Sequence, residues 1–270
     1  MRRIVILLVI LFSIVLSSLY AKPKAENSNS LLTNTVVSSF LGNLGEGFQN
    51  NIISENRYLL ILDGLKTTVS ISVLAVLLGT LLGSLSCWMR LSKNIFLLLL
   101  SKTYVSILRG TPVLVLLMII FYIVFASVNI EPLWIAVIAF GLNFGAYSSE
   151  IFRNGLASVQ TGQHEASIAL GFSKFQTFWH IVLPQAVRRI LPVLKGEIIT
   201  LVKMTSVVGY IAVQDLTKAG DIIRSRTFDA FFPLIMVAIL YFAISWSLIF
   251  AIEYVEKKTD RRLRKRRAKR

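Results

Sequence analysis

The chain has 270 residues, of which 55% are hydrophobic and 16% charged, with a mean hydropathy of +0.69. Soluble domains carry roughly 25% charged residues, so this composition excludes a soluble enzyme, a disordered tail and a collagen-like fibre, and indicates a polytopic membrane protein. The net charge is +15, but residues 257–270 hold ten bases and one acid, a net +9; such a run beside an apolar span is a cytoplasmic membrane flank rather than a nucleic-acid surface.

At the start, Met1-Arg2-Arg3 precedes 18 uncharged residues, 4–21. A basic start, an apolar stretch and a small residue describe a signal peptide. Leu19 fits poorly three residues before a junction after Ala21, so an uncleaved signal anchor is the competing reading. Residues 22–63 are polar and rich in Asn and Ser, a short extracytoplasmic segment too small for a domain. Residues 64–253 read as the transmembrane domain and 254–270 as a basic cytoplasmic tail.

Residues 67–89 are 23 residues without a charge, enough to cross a bilayer. Arg90, Lys93, Lys102 and Arg109 follow with no acid among them, which makes this flank cytoplasmic. Residues 94–108 read as a helix lying in the interface or packed against its neighbours. An uncharged run over 110–130 is expected to cross outward, Glu131-Pro132 to turn, and 133–149 to cross back. Arg109-Gly110-Thr111-Pro112 reads as a helix break and restart with a structural role.

Residues 150–197 read as a cytoplasmic loop with helical pieces. Residues 230–252 form a further uncharged span, and parity requires one more crossing before it. The candidate is 198–214, apolar except for Lys203. A lone Lys in a span costs about 2.5–3.5 kcal/mol on insertion scales, so Lys203 is expected to face protein or a water-filled cavity. The expected fold is all-α: five core transmembrane helices, the N-terminus outside and the C-terminus inside. The pairs Gly79/Gly83 and Gly141/Gly145 permit close helix approach, read as packing within the chain. The single Cys87 excludes an intramolecular disulfide framework. His164 and His180 lack metal-ligand spacing, and no metal site is expected.

One stretch of the loop carries a pattern. Glu165-Ala166-Ser167-Ile168-Ala169-Leu170-Gly171 is followed nine residues later by Ile181-Val182-Leu183-Pro184. The residues describe a helix, a glycine break at a left-handed C-cap, a second helix and a proline stop. Phe175, Phe178, Trp179 and Val182 recur at helical spacing as one apolar face. Small residues at 166, 167 and 169 let another protein approach the backbone, so the hairpin suits docking.

This pattern resembles the EAA loop of ABC importer permeases, with Ser167 in place of the second Ala. Leu65-Lys66-Thr67-Thr68, Arg109-Gly110-Thr111-Pro112, the run from Ala146 through Tyr147 and Glu150 to Arg153, Leu183-Pro184-Gln185-Ala186 and Lys203-Met204-Thr205-Ser206 extend the resemblance to the polar amino acid branch, which takes up His, Gln, Glu or Arg. Met204 departs from the Asp often found after that Lys in the branch, which leaves the partner of Lys203 open.

The resemblance implies a type I importer permease in a bacterial cytoplasmic (inner) membrane. It implies that the loop, about 160–185, couples through Glu165, Ala166, Ser167, Gly171, Ile181, Leu183 and Pro184 to two ATPase subunits, which bind ATP and Mg. A second permease chain, the same or different, and an extracytoplasmic solute-binding protein would complete the complex. This chain has no Gly-x-x-x-x-Gly-Lys-Ser/Thr phosphate loop, so it is expected to be a transport subunit without a cofactor of its own.

For the substrate path, Asn143, Tyr147 and Glu150 share one helical face. Glu150 is a candidate for a substrate ammonium, or pairs with Arg153 at i+3. Lys203 is a candidate for a substrate carboxylate, or is tied to Glu197 or a partner subunit. The alternative function is an ion-gradient-driven amino acid transporter, which would need intramembrane carboxylates and usually internal repeats. Only Glu150 comes near, and no repeat is visible.

Overall fold

The computed structural model describes residues 47–259. The expected signal segment 1–21, most of the polar segment after it and the end of the basic tail lie outside the described residues. Residues 47–57 form a small turn unit of their own, in which Asn51 Nδ2 donates to Gly47 O at 2.9 Å and Arg57 pairs with Glu55 at 3.0 Å.

The rest is helical. α1 is Tyr58–Leu91, α2 Ile95–Gly110, α3 Val113–Ile119 and α4 Pro132–Ala157. Then come α5, Thr161–Ala169; α6, Lys174–Thr177; α7, Leu183–Met204; α8, Leu216–Thr227; and α9, Phe231–Thr259. Among the described residues three helices, α1, α4 and α9, are long and apolar enough to cross a membrane unbroken. Two bent pairs bring the number to five if each is one span: α2 with α3, bent by 110°, and the run from Lys174 to Ile211 with α8, bent by 54°.

The bends revise two expected spans. No straight crossing runs over 110–130. Thr111 and Pro112 are both extended, and Val113 restarts the helix. Proline lacks the N–H that would continue α2 and biases Thr111 away from the helical region. Residues 113–124 then stay helical for about 18 Å, short of a bilayer core of about 30 Å. The expected span 198–214 instead begins near Leu183, tightens to a 3-10 turn over Thr205–Ile211 and breaks at Ala212, which takes φ +61°. Asp215 restarts the chain as α8: its carboxylate accepts from the Thr217 and Lys218 amides at 3.1 and 2.9 Å.

The core sits around α4. Of its most apolar stretch 67% is buried, against 33% for α1 and 6% for α9. Phe140 and Phe144 are fully enclosed there, with Ile71, Leu117 and Val208. Apolar side chains gain little by leaving lipid for protein, so close backbone contact and hydrogen bonds do more of the joining. α1 and α4 meet that way: a Cβ on Gly79 would lie 2.7 Å from Gly141 O, and one on Gly145 3.0 Å from Leu82 Cβ. Both small-residue pairs thus pack within the chain, on each other. Ser86 ties α1 to its neighbours, with its hydroxyl 2.7 Å from Ser101 of α2 and 2.9 Å from Ser149 of α4.

Candidate functional site

The sequence singles out the α4–α7 connection, and it is built as a clamped hairpin. α5 ends in a Schellman turn: Phe172 N–H reaches Ser167 O at 3.1 Å and Gly171 N–H reaches Ile168 O at 2.9 Å. Gly171 takes φ +82° with open space where a side chain would stand. Ser173 opens α6 with a capping box to Gln176. Ser167 is buried, and its hydroxyl donates to Gln163 O and His164 O at 2.9 and 2.8 Å.

Pro184 does not stop the second helix. A wide π turn over Phe178–Val182 lets Leu183 N–H bond Phe178 O, and α7 continues without needing an N–H from Pro184. The helix therefore runs from the hairpin into the bundle. Val182 also leaves the expected exposed face: with Val159, Ala186 and Ile190 it forms a buried cluster that α4 residues Ile151, Phe152 and Leu156 cover. Arg189 donates to Ser158 O, and Gln185 Nε2 reaches Gln163 Oε1 at 3.2 Å. Gly155 of α4 admits Ile190 so closely that a Cβ there would overlap it.

What the hairpin presents outward is apolar. Leu170 is 76% exposed, Phe175 71% and Ile168 57%, with Phe172, Phe178 and Trp179 beside them. The Trp179 ring centroid lies 6.0 Å from Phe175 and 5.7 Å from Phe178. Glu165, Ala166, Gly171 and Pro184 are exposed on the same hairpin, while Ile181 and Leu183 are half-buried.

The second group of residues lies in the bundle. Glu150 is bonded by Arg153, and also by Arg90 of α1, which sequence spacing had not connected to it. Both carboxylate oxygens are thereby taken. Asn143 is buried and donates to Leu108 O at 3.1 Å, closing the end of α2. Tyr147 lies under Arg109, whose guanidinium carbon is 5.0 Å from the ring centroid. Lys203 is exposed near the end of α7 and makes no ion pair among the described residues, Glu197 included.

The Asn143–Leu108 bond sets the end of α2, and Arg109 with it, against the middle of α4. A buried polar hub was also missed: Asp215, fully enclosed, accepts from Tyr241 of α9 at 3.0 Å, and Leu216 N–H donates to Thr68 of α1 at 3.2 Å. An Asp before Leu-Thr-Lys is a legible N-cap, but its distant partners carry no local signal.

The model of a family described as binding-protein-dependent transport system inner membrane component matches residues 75–261. A Rickettsia typhi protein provisionally named a glutamine transport system permease is 36% identical over 204 residues, 75% of this chain and 94% of that protein. The L-cystine transport system permease of Bacillus subtilis is 34% identical over 81% of this chain and 94% of its own. Among solved structures, an amino acid ABC transporter with histidines matches at 33% identity and TM-score 0.69, over 76% of this chain and 97% of that one.

Proposed function

The chain belongs to the family of binding-protein-dependent transport system inner membrane components, a permease subunit of an ABC amino acid importer, and from that premise we propose how it works. The bundle forms the path of a polar amino acid across a bacterial inner membrane, with the N-terminal side outside and the α5–α6 hairpin and C-terminus in the cytoplasm. One of the two ATPase subunits of the complex docks on the hairpin, formed by Glu165, Ala166, Ser167, Gly171, Ile181, Leu183 and Pro184, and the other docks on the second permease chain. ATP and Mg belong to those subunits. A second permease chain and an external solute-binding protein complete the assembly.

The observation that carries this reading is the exposed aromatic hairpin clamped between two long helices. Free in water, Phe175 and Trp179 would be a liability; seated in a groove they anchor a partner. α7 is continuous with the hairpin, so a push there acts directly on a membrane-embedded helix. For the path itself the proposal retains Asn143, Tyr147, Glu150 and Lys203 in unequal roles. Glu150 and Asn143 brace its wall through Arg90, Arg153 and Leu108. Tyr147 and Lys203 face the cargo.

The test is purification through a C-terminal tag, beside uptake into membrane vesicles. The expected result is a phosphate-loop ATPase in about one-to-one amount, absent from a Glu165→Ala, Gly171→Val double variant, with uptake that requires ATP and persists after ionophores. Uptake abolished by ionophores and indifferent to ATP would replace this reading with the ion-gradient transporter.

A further inference from the structure

α9 is the long helix that the bundle encloses least: 6% of its most apolar stretch is buried, against 67% for α4. Residues 231–252 carry no charge and rise about 33 Å, close to a bilayer core of about 30 Å. The helix then continues over residues 253–259, about 10 Å more, which takes the chain through the headgroup layer. Phe242, Trp246, Phe250 and Tyr254 recur every four residues along α9, each at least 50% exposed. The Trp246 and Phe250 rings meet edge to face with centroids 4.6 Å apart. Tyr254, just past the apolar stretch, stands at the level of an interfacial aromatic belt. There Lys195 of α7 meets Glu253 across 3.8 Å, a long ion pair.

Ten bases and one acid follow in residues 257–270. Orientation in the membrane needs only a few bases close to the span, and Lys257, Lys258 and Arg261 meet that need. Residues 262–270 add seven more bases and no acid, past residue 261, where the family match ends. So dense a run of one charge repels itself and gains by facing phosphates. It begins at headgroup height, so lipid phosphates are its neighbours at high local concentration. A nucleic acid would have to displace them.

We propose that residues 257–270 bind the anionic lipids of the cytoplasmic leaflet and anchor the end of α9 there. The partner is a charged surface rather than a shaped pocket, so lysine serves as well as arginine. The attraction is screened within about 8 Å at physiological salt and about 3 Å at 1 M. Headgroups then fix the end of a helix that the bundle holds loosely, and Glu253 stays within reach of Lys195. This inference goes beyond the import reading, on which only the choice of leaflet depends.

The experiment uses the complex of this chain with its ATPase, with a fluorophore on Ala268→Cys. Cys87 is buried, and the same complex without Ala268→Cys gives the background. Nanodiscs are made of phosphatidylcholine alone or with about 30% phosphatidylglycerol, and contain lipid spin-labelled at the headgroup as a contact quencher. Both faces of a disc are alike, so neither transport nor orientation affects the reading. Quenching is expected to rise at least about fivefold with phosphatidylglycerol and to fall back at about 1 M salt. Arg262→Gln, Arg264→Gln, Lys265→Gln, Arg266→Gln and Arg267→Gln combined should remove most of the rise, while Lys257, Lys258 and Arg261 keep the orientation. Lysine at those four arginines should retain it, which separates charge from a disturbed fold. No rise in the wild type, or an equal rise in the glutamine variant, would overturn the proposal. Quenching indifferent to phosphatidylglycerol but altered by removing the ATPase would assign the tail to that subunit instead. Release from phosphatidylglycerol discs by an equimolar short oligonucleotide would assign it to nucleic acid. Failure of ATP-driven uptake would leave this result standing and remove only the import reading.

Discussion

Gly171 is where one residue decides most. Its φ of +82° closes the Schellman turn that reverses the chain between α5 and α6. A β-branched side chain there meets no neighbour, so the whole cost is backbone strain, roughly 1–2 kcal/mol, with the hairpin re-aimed. Gly171→Val is expected to insert and fold normally while ATP-driven uptake falls at least tenfold and substrate no longer stimulates ATP hydrolysis. Normal stimulation in that variant would show that the hairpin is not the coupling surface. Glu150 offers the opposite lesson. In sequence it stands at the end of the expected span 133–149, a candidate for a substrate ammonium or for pairing with Arg153. In the fold it joins α1 to α4 through Arg90 and Arg153. The sequence held the i+3 partner in view, but a partner 60 residues away carries no periodic signal.

At the scale of the helix, the legible features are those with a local cause. The break at Pro112, the left-handed glycine and the uncharged lengths of α1, α4 and α9 all follow from composition within a few residues. Pro184 misleads because a proline stop assumes a normal helix before it, and the π turn removes that assumption. The bend after Arg109 lets α2 end beside the middle of α4, a contact between distant segments that charge alone does not signal. The glycine seam makes a quantitative test. Gly79→Leu drives a side chain into Gly141 O, a backbone atom that cannot step aside. A loss of about 1–3 kcal/mol or more is expected, seen as a lower melting temperature in detergent or as failure to accumulate. Gly196→Ala is the comparison: nothing lies within 4 Å of its Cβ, and an alanine there should hold or slightly raise stability. Equal melting of the two variants would mean that the seam adds nothing.

At the scale of the whole permease, membrane embedding is unequal and the inequality has a use. α9 leaves nearly all of its apolar surface to lipid or to another chain, while α4 is enclosed by the rest. α7 runs from the hairpin into the bundle: Ala186 and Ile190 in its first turns pack against Ile151, Phe152 and Leu156 of α4, and its end carries Lys203. In the mechanism proposed above, a displacement entering at Trp179 is carried along one helix rather than through a chain of loose contacts. Glu150 and Arg90 come from separate helices, which is why the motif could be read at once and their pairing could not.

The seam between α1 and α4 sets what can move. Helices that slide past each other do so on a layer of side chains; here glycine backbones touch, and Ser148 of α4 reaches across to Gly79 O at 3.2 Å. In the mechanism proposed above the pair serves as a stator, the fixed part of the machine against which α7 and its hairpin turn. Spin labels on Leu81 and Trp134, both exposed, should hold their separation within about 2 Å whether ATP is present or absent. A larger change would mean that the stroke opens the seam itself.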